Sequence, residues 1–102
     1  MNHKIIQYTI QSDSIELVTT AIAELLDGIR RNEPHTRYEA YRIKGTDAFI
    51  HYAIFNDEGT EQIHRNAPYT QQFVEVVYPL CIQKPVTTDL EKIEGMVGGE
   101  YE

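Results

Sequence analysis

The stretch Phe49-Ile50-His51-Tyr52-Ala53-Ile54-Phe55 constrains the fold more than any other, because as a strand it is apolar on nearly both faces. Successive strand side chains point to opposite sides. Phe49, His51, Ala53 and Phe55 therefore share one face, and Ile50, Tyr52 and Ile54 share the other. A sheet built around such a strand needs cover on both sides. The chain supplies one cover itself. Ile15, Val18, Ile22, Leu25, Leu26 and Ile29 recur at spacings of three and four, which predicts an amphipathic helix from about Ser14 to Asn32. Asp13 with Glu16 resembles a capping pair at its start. Arg30 and Arg31 suit its negative end, and Pro34 stops it.

The remaining segments complete a pattern. Lys4 to Ile10, rich in β-branched and aromatic residues, reads as a strand. Thr36 to Ile43 is a second strand, joined by the turn Lys44-Gly45-Thr46-Asp47 to the third, Ala48 to Phe55. Asn56-Asp57-Glu58 opens a short helix over about Glu58 to Asn66. Ala67-Pro68 re-initiates a helical segment with Tyr69, Phe73, Val76 and Val77 as its apolar stripe. Pro79 and Pro85 frame a loop, and Val86 to Ile93 is the last strand. This order is the α+β, ferredoxin-like βαββαβ arrangement, a four-stranded antiparallel sheet with its helices on one face. The expected domain is 1–94, followed by a loose, glycine-rich acidic tail over 95–102. The sheet's second face then lacks cover, and another copy of the chain is the obvious one, which predicts a homodimer through the sheet face.

Charge and cysteine usage narrow the function classes. A net charge of -7 repels phosphate backbones and disfavours nucleic-acid partners. No apolar run approaches the roughly 20 residues that span a bilayer, and the first residues lack a signal-like apolar segment. Cys81 is alone, so neither an internal disulfide nor a cysteine-built metal site is available. These features fit a cytoplasmic protein. His3, His35, His51 and His64 show no ligand spacing, so no metal site is expected. Neither a phosphate-binding glycine loop nor a G-x-S-x-G elbow occurs.

Among residues able to carry chemistry, His64 stands first. A neutral imidazole titrates near working pH and can take a proton from a phenol or hydroquinone, making it electron-rich enough to reduce oxygen. A surface histidine on an amphipathic helix is the plainer account. His51 either lines a pocket or sits at a subunit interface, according to which strand face meets the helices. Phe55, Tyr69 and Phe73 can shape a pocket beside it, and Asn66 can bond a substrate carbonyl or cap a helix end. Tyr8, Tyr38, Tyr41, Tyr52, Tyr69 and Tyr78 suit a flat aromatic ligand and equally suit a core. Arg37 and Arg42, on opposite strand faces, need only Glu39 or Asp47 as partners.

Three stretches resemble the antibiotic biosynthesis monooxygenase family of dimeric α+β barrels. They are the opening strand and long helix ending Arg30-Arg31-Asn32-Glu33-Pro34, the strand Thr36-Arg37-Tyr38-Glu39-Ala40-Tyr41, and Phe55-Asn56-Asp57-Glu58 followed by His64 and Ala67-Pro68-Tyr69. His64 and Pro68 fall where the family pattern expects a histidine and a proline. Phe55 stands at the usual Trp position, and Ala53 stands where many relatives carry Glu. The resemblance implies a homodimer with a pocket between sheet and helices in each subunit. It further implies a monooxygenase that oxidises a small aromatic or quinol-like compound with O2 and no bound cofactor. A non-catalytic small-molecule-binding dimer is the alternative, favoured by the missing Trp and Glu. A haem-binding or haem-degrading relative, with His64 or His51 as axial ligand, is another, and a ligand-free dimerisation domain a further one.

Overall fold

The computed structural model describes residues 1–96. The tail expected over 95–102 lies, from residue 97 on, outside the described residues. In chain order the elements are β1 (Asn2–Ile10), α1 (Ile15–Asn32), β2 (Arg37–Arg42), β3 (Ala48–Phe55), α2 (Glu58–Asn66), α3 (Pro68–Val77) and β4 (Cys81–Leu90). The strands form one antiparallel sheet in the order β2-β3-β1-β4. This is the ferredoxin-like α+β fold the residue pattern predicts.

Strand β3 sets the layering. Phe49, His51, Ala53 and Phe55 are buried, whereas Ala48, Ile50, Tyr52 and Ile54 are only partly covered. The first set faces the helices. There Tyr8 and Ile10 of β1, Val18, Ile22, Leu25 and Ile29 of α1, and Phe73 and Val77 of α3 close a single core with Phe49. Gly45 takes φ +77 in the turn between β2 and β3, a conformation that side chains with a Cβ rarely adopt. Arg37 pairs with Glu39 at 2.9 Å and Arg42 with Asp47 at 3.6 Å, so neither arginine needs a ligand.

The helical arm after β3 is split because Ala67 is extended (φ -67, ψ 143) and Pro68 brings no N–H to continue α2. Proline instead occupies the first turn of α3, where the missing donor costs nothing. This break re-aims the chain. It lets α2 lie over one end of the sheet while α3 runs back against α1.

Two local expectations are corrected. Asp13 and Glu16 form no capping box: a 3-10 turn over Ser12–Ser14 precedes α1, no side chain caps its N-terminus, and Asp13 takes a bond from Ser14 Oγ at 3.3 Å. The loop expected between Pro79 and Pro85 is largely strand. A 3-10 turn (Tyr78–Leu80) leads directly into β4 at Cys81, and β4 ends at Leu90 rather than Ile93. Pro85 is tolerated because β4 is an edge strand and its pairing with β1 is irregular there, stepping from Gln7↔Val86 to Thr9↔Gln83. The strand stops at Leu90 because its last partner is His3 and β1 begins at Asn2.

The other sheet face carries Ile5, Ile50, Tyr52, Ile54, Val86 and Leu90 in neighbouring register positions, with Val86 57% and Leu90 41% exposed. No helix of the described residues covers it. Among those residues no helix is long and apolar enough to cross a membrane. Ile10, fully buried, and Ile63, 65% exposed on α2, give a direct contrast. Ile10→Ala should cost about 2–5 kcal/mol in urea unfolding, and Ile63→Ala no more than about 0.5 kcal/mol.

Candidate functional site

A cleft of about 270 Å³ opens between the helix-facing side of the sheet and the α2–α3 arm. Ile6, Tyr38, His51 and Phe55 line it from the sheet, and Glu61, His64, Arg65, Thr70, Phe73 and Tyr78 from the arm and the turn after it. Its walls are largely apolar, with a few convergent polar groups, the usual make-up of a small-molecule site.

His64 is held from two directions. It sits in the last turn of α2, a helix started by Asp57, whose side chain accepts from the Thr60 N–H at 2.8 Å. Its ring lies 5.2 Å from that of Phe55 and 5.4 Å from that of Tyr38, centroid to centroid. Its Nδ1 is 2.9 Å from Oε2 of Glu33. A carboxylate only accepts, so Nδ1 carries the proton. Nε2 of this cavity-lining ring is left with no protein partner among the described residues.

Glu33 follows α1 directly, its N–H bonded to the Ile29 carbonyl at 2.8 Å, and only 5% of the residue is exposed. The same Oε2 accepts the Tyr69 hydroxyl at 2.5 Å. Burial, and then the bond to Glu33, push the Tyr69 phenol well above its ordinary value, so it remains a donor. Gly28 makes room for this contact. A Cβ there would lie 2.4 Å from Tyr69 Cγ, so only glycine lets the ring rest on α1. One carboxylate thus ties α1 to both α2 and α3.

Deeper in the cleft, His51 is 1% exposed with both ring nitrogens engaged. Nε2 is 2.7 Å from the Tyr8 hydroxyl, and Nδ1 is 2.8 Å from the Tyr38 hydroxyl. Burial, and to a lesser degree the neighbouring His64, lowers its pKa from 6.5 to about 4, so it is neutral in neutral solution. Burial likewise raises the Tyr8 and Tyr38 phenols. At the far end, Lys4 bridges Glu61 at 3.0 Å and Asp89 at 2.7 Å. Burial alone would raise the Glu61 carboxyl, but Lys4, Asn2 and Arg65 hold it below its ordinary value.

The structure brings His64, His51, Phe55 and Phe73 around one cavity. Tyr69 stands behind it, in the wall of a separate groove of about 340 Å³ between α1 and α3, and reaches the site only through Glu33. Asn66 is exposed at the end of α2 and does not line the cleft. Sequence reasoning missed Glu33 and did not single out Tyr38 from the other tyrosines. Glu33 reads as one more charge at a helix end, and Tyr38 as one tyrosine among several. Only knowing that even-numbered β2 positions face the helices would have separated Tyr38 from Tyr41. Among the described residues no group of three or more His, Cys, Asp or Glu could hold a metal ion. Axial ligation of haem by His51 would break one of two buried bonds, so of its two ring nitrogens neither fits that role.

Residues 1–76 match the sequence profile of the antibiotic biosynthesis monooxygenase family. The chain belongs to that family. Solved structures agree on the fold. One, an antibiotic biosynthesis monooxygenase, is 19% identical with a TM-score of 0.84, over 92% of this chain and 100% of the other. Rv0793 from Mycobacterium tuberculosis is 14% identical with a TM-score of 0.82, over 94% and 98%. A conserved protein from Methanosarcina mazei Go1 is 9% identical with a TM-score of 0.79, over 90% and 93%. No curated protein matches the chain.

The His51 environment makes stability pH-dependent in a stated direction. Its folded pKa lies below the unfolded one, so the unfolded chain binds the proton more readily. This contribution is present above about pH 6.5 and is lost as pH falls toward about 4, on the order of 3 kcal/mol in all. Urea unfolding from pH 7 to 4 should show a shallower fall in His51→Gln than in the wild type.

Proposed function

We propose that this protein is a cofactor-independent monooxygenase oxidising a small phenol or quinol in the cleft, with His64 as the general base. The observation that carries this reading is the Glu33–His64 pair: a carboxylate holds Nδ1 as the donor and leaves Nε2 without a protein partner on a ring that lines the cleft. That is the arrangement a base needs, with an orienting partner behind and an open lone pair in front. For a phenol with a free para position, the reaction is phenol plus O2 giving para-quinone plus water. His64 Nε2 takes the hydroxyl proton. The phenolate gives one electron to O2, and the resulting pair of radicals joins in a C–O bond at the para carbon. His64 returns its proton to the peroxide. Loss of the para hydrogen with cleavage of the O–O bond then releases water and leaves the second carbonyl. Phe55 and Phe73 would hold the ring and keep water out.

The test is oxygen uptake with a panel of naphthols and hydroquinones. His64→Ala should lose at least about 100-fold in turnover with folding intact, and Glu33→Gln should lose less, about 10-fold, because orientation is kept without the charge. Equal rates in His64→Ala and the wild type would remove the base from the account.

We further propose a homodimer through the open sheet face. The apolar row of Ile5, Ile50, Ile54, Val86 and Leu90 supports it, since a contiguous exposed apolar patch marks an interface. Sedimentation should show a dimer for the wild type and a monomer for Ile50→Glu. A monomeric wild type at micromolar concentration would refute this.

A further inference from the structure

We infer that Tyr8, His51 and Tyr38 form a hydrogen-bond chain with a fixed direction, which presents the Tyr38 hydroxyl as a donor to an acceptor oxygen of the ligand in the cleft. The ligand half of this inference rests on the cleft being the binding site proposed above. The direction rests on the Tyr8 hydroxyl having no other acceptor among the described residues and on Tyr38, not Tyr8, lining the cleft.

A neutral imidazole has one N–H and one bare nitrogen. Both His51 nitrogens meet tyrosine hydroxyls, at 2.7 Å and 2.8 Å, so one tyrosine donates to the ring and the other accepts from it. The two arrangements are unequal. If Nε2 carried the proton, Tyr8 would accept it and its own hydroxyl hydrogen would need another acceptor. Tyr8 is 3% exposed, its ring stacked on Phe49 at 5.6 Å and edge-on to Phe73 at 6.3 Å, and its hydroxyl has no other partner among the described residues. A buried donor left without an acceptor is costly. The other arrangement satisfies both ring nitrogens and the Tyr8 hydroxyl. The Tyr8 O–H donates to Nε2, and Nδ1–H donates to the Tyr38 oxygen. The one hydrogen left free is then that of Tyr38. Tyr38 lines the cleft, so its hydrogen meets whatever occupies it.

The chain therefore sets a donor 5.4 Å, ring to ring, from the His64 base. Donor and base side by side favour a ligand that offers a carbonyl-type or phenolate oxygen next to its ionisable group. His51 and Tyr8 are positioning residues here, while Tyr38 touches the ligand.

The experiment has two arms. Nitrogen NMR of 15N-histidine-labelled, ligand-free wild type reads the His51 tautomer, and the Nδ1–H form is expected. The Nε2–H form would overturn the chain's direction, whatever the protein oxidises. The second arm measures binding of 1-tetralone, which carries one carbonyl acceptor, and of tetralin, which has none. Tyr38→Phe should weaken 1-tetralone about 10-fold and leave tetralin unchanged. Equal effects on both, no effect on either, or no binding of 1-tetralone to the wild type would overturn Tyr38 as the donor. A wild type with the expected tautomer and tetralone binding, but no oxygen uptake with any phenol, would sink the oxygenase reading and leave this one standing.

Discussion

The site depends on one buried carboxylate. Glu33 ends α1, yet its Oε2 takes the Tyr69 hydroxyl from α3 and the His64 Nδ1 from α2. Burying an acidic group is costly unless strong donors meet it, and here two do so from two different elements, both on Oε2, while Oε1 is buried with no partner among the described residues. The α2–α3 arm, broken at Pro68, is tied to β1 through Glu61, which meets Lys4 and Asn2, and to α1 through Glu33. The Glu33 carboxylate is the tie beside His64, and it sets where that side of the cleft stands. Gly28 belongs to the same device, since its missing side chain is what brings Tyr69 within reach.

The second constraint is strand β3, which serves both faces. Its Phe49, His51, Ala53 and Phe55 build the floor of the core and cleft, and its Ile50, Tyr52 and Ile54 build the open face. The two histidines of the cleft accordingly play different parts. His51 is sealed into a tyrosine–imidazole–tyrosine chain and kept neutral by burial. His64 lies at the opening with a carboxylate behind it. One imidazole is locked and the other is available, and that division is the basis for assigning the base to His64.

Much of the fold was legible in the sequence because period carries it. The three-and-four spacing from Ile15 to Ile29 and the alternation in β3 each had one sensible reading. The fourth strand was blurred because Pro85 signals a loop, and only the irregular pairing with β1 explains how an edge strand holds it. The cap at Asp13 failed for a local reason: the chain makes a 3-10 turn before the helix begins. The candidate site was half legible. His64 and the aromatic residues stood out by type. Glu33 did not, because a charge beside a proline at a helix end reads as solvated, and its burial is a property of α2 and α3 arriving from 31 and 36 residues further along the chain. The face of His51 was likewise undecidable until the helices chose a side.

Family membership rests on residues 1–76, and the likeness to solved structures speaks for the fold. The chemistry is argued from the Glu33–His64 pair, and its central claim is that the cleft takes the proton from a bound phenol. The most direct measurement is an anaerobic ultraviolet difference spectrum of 1-naphthol titrated with the protein at neutral pH. The account predicts growth of the naphtholate band with the wild type and its absence with His64→Ala. Binding of 1-naphthol in its neutral form only, or a naphtholate band that survives in His64→Ala, would contradict it.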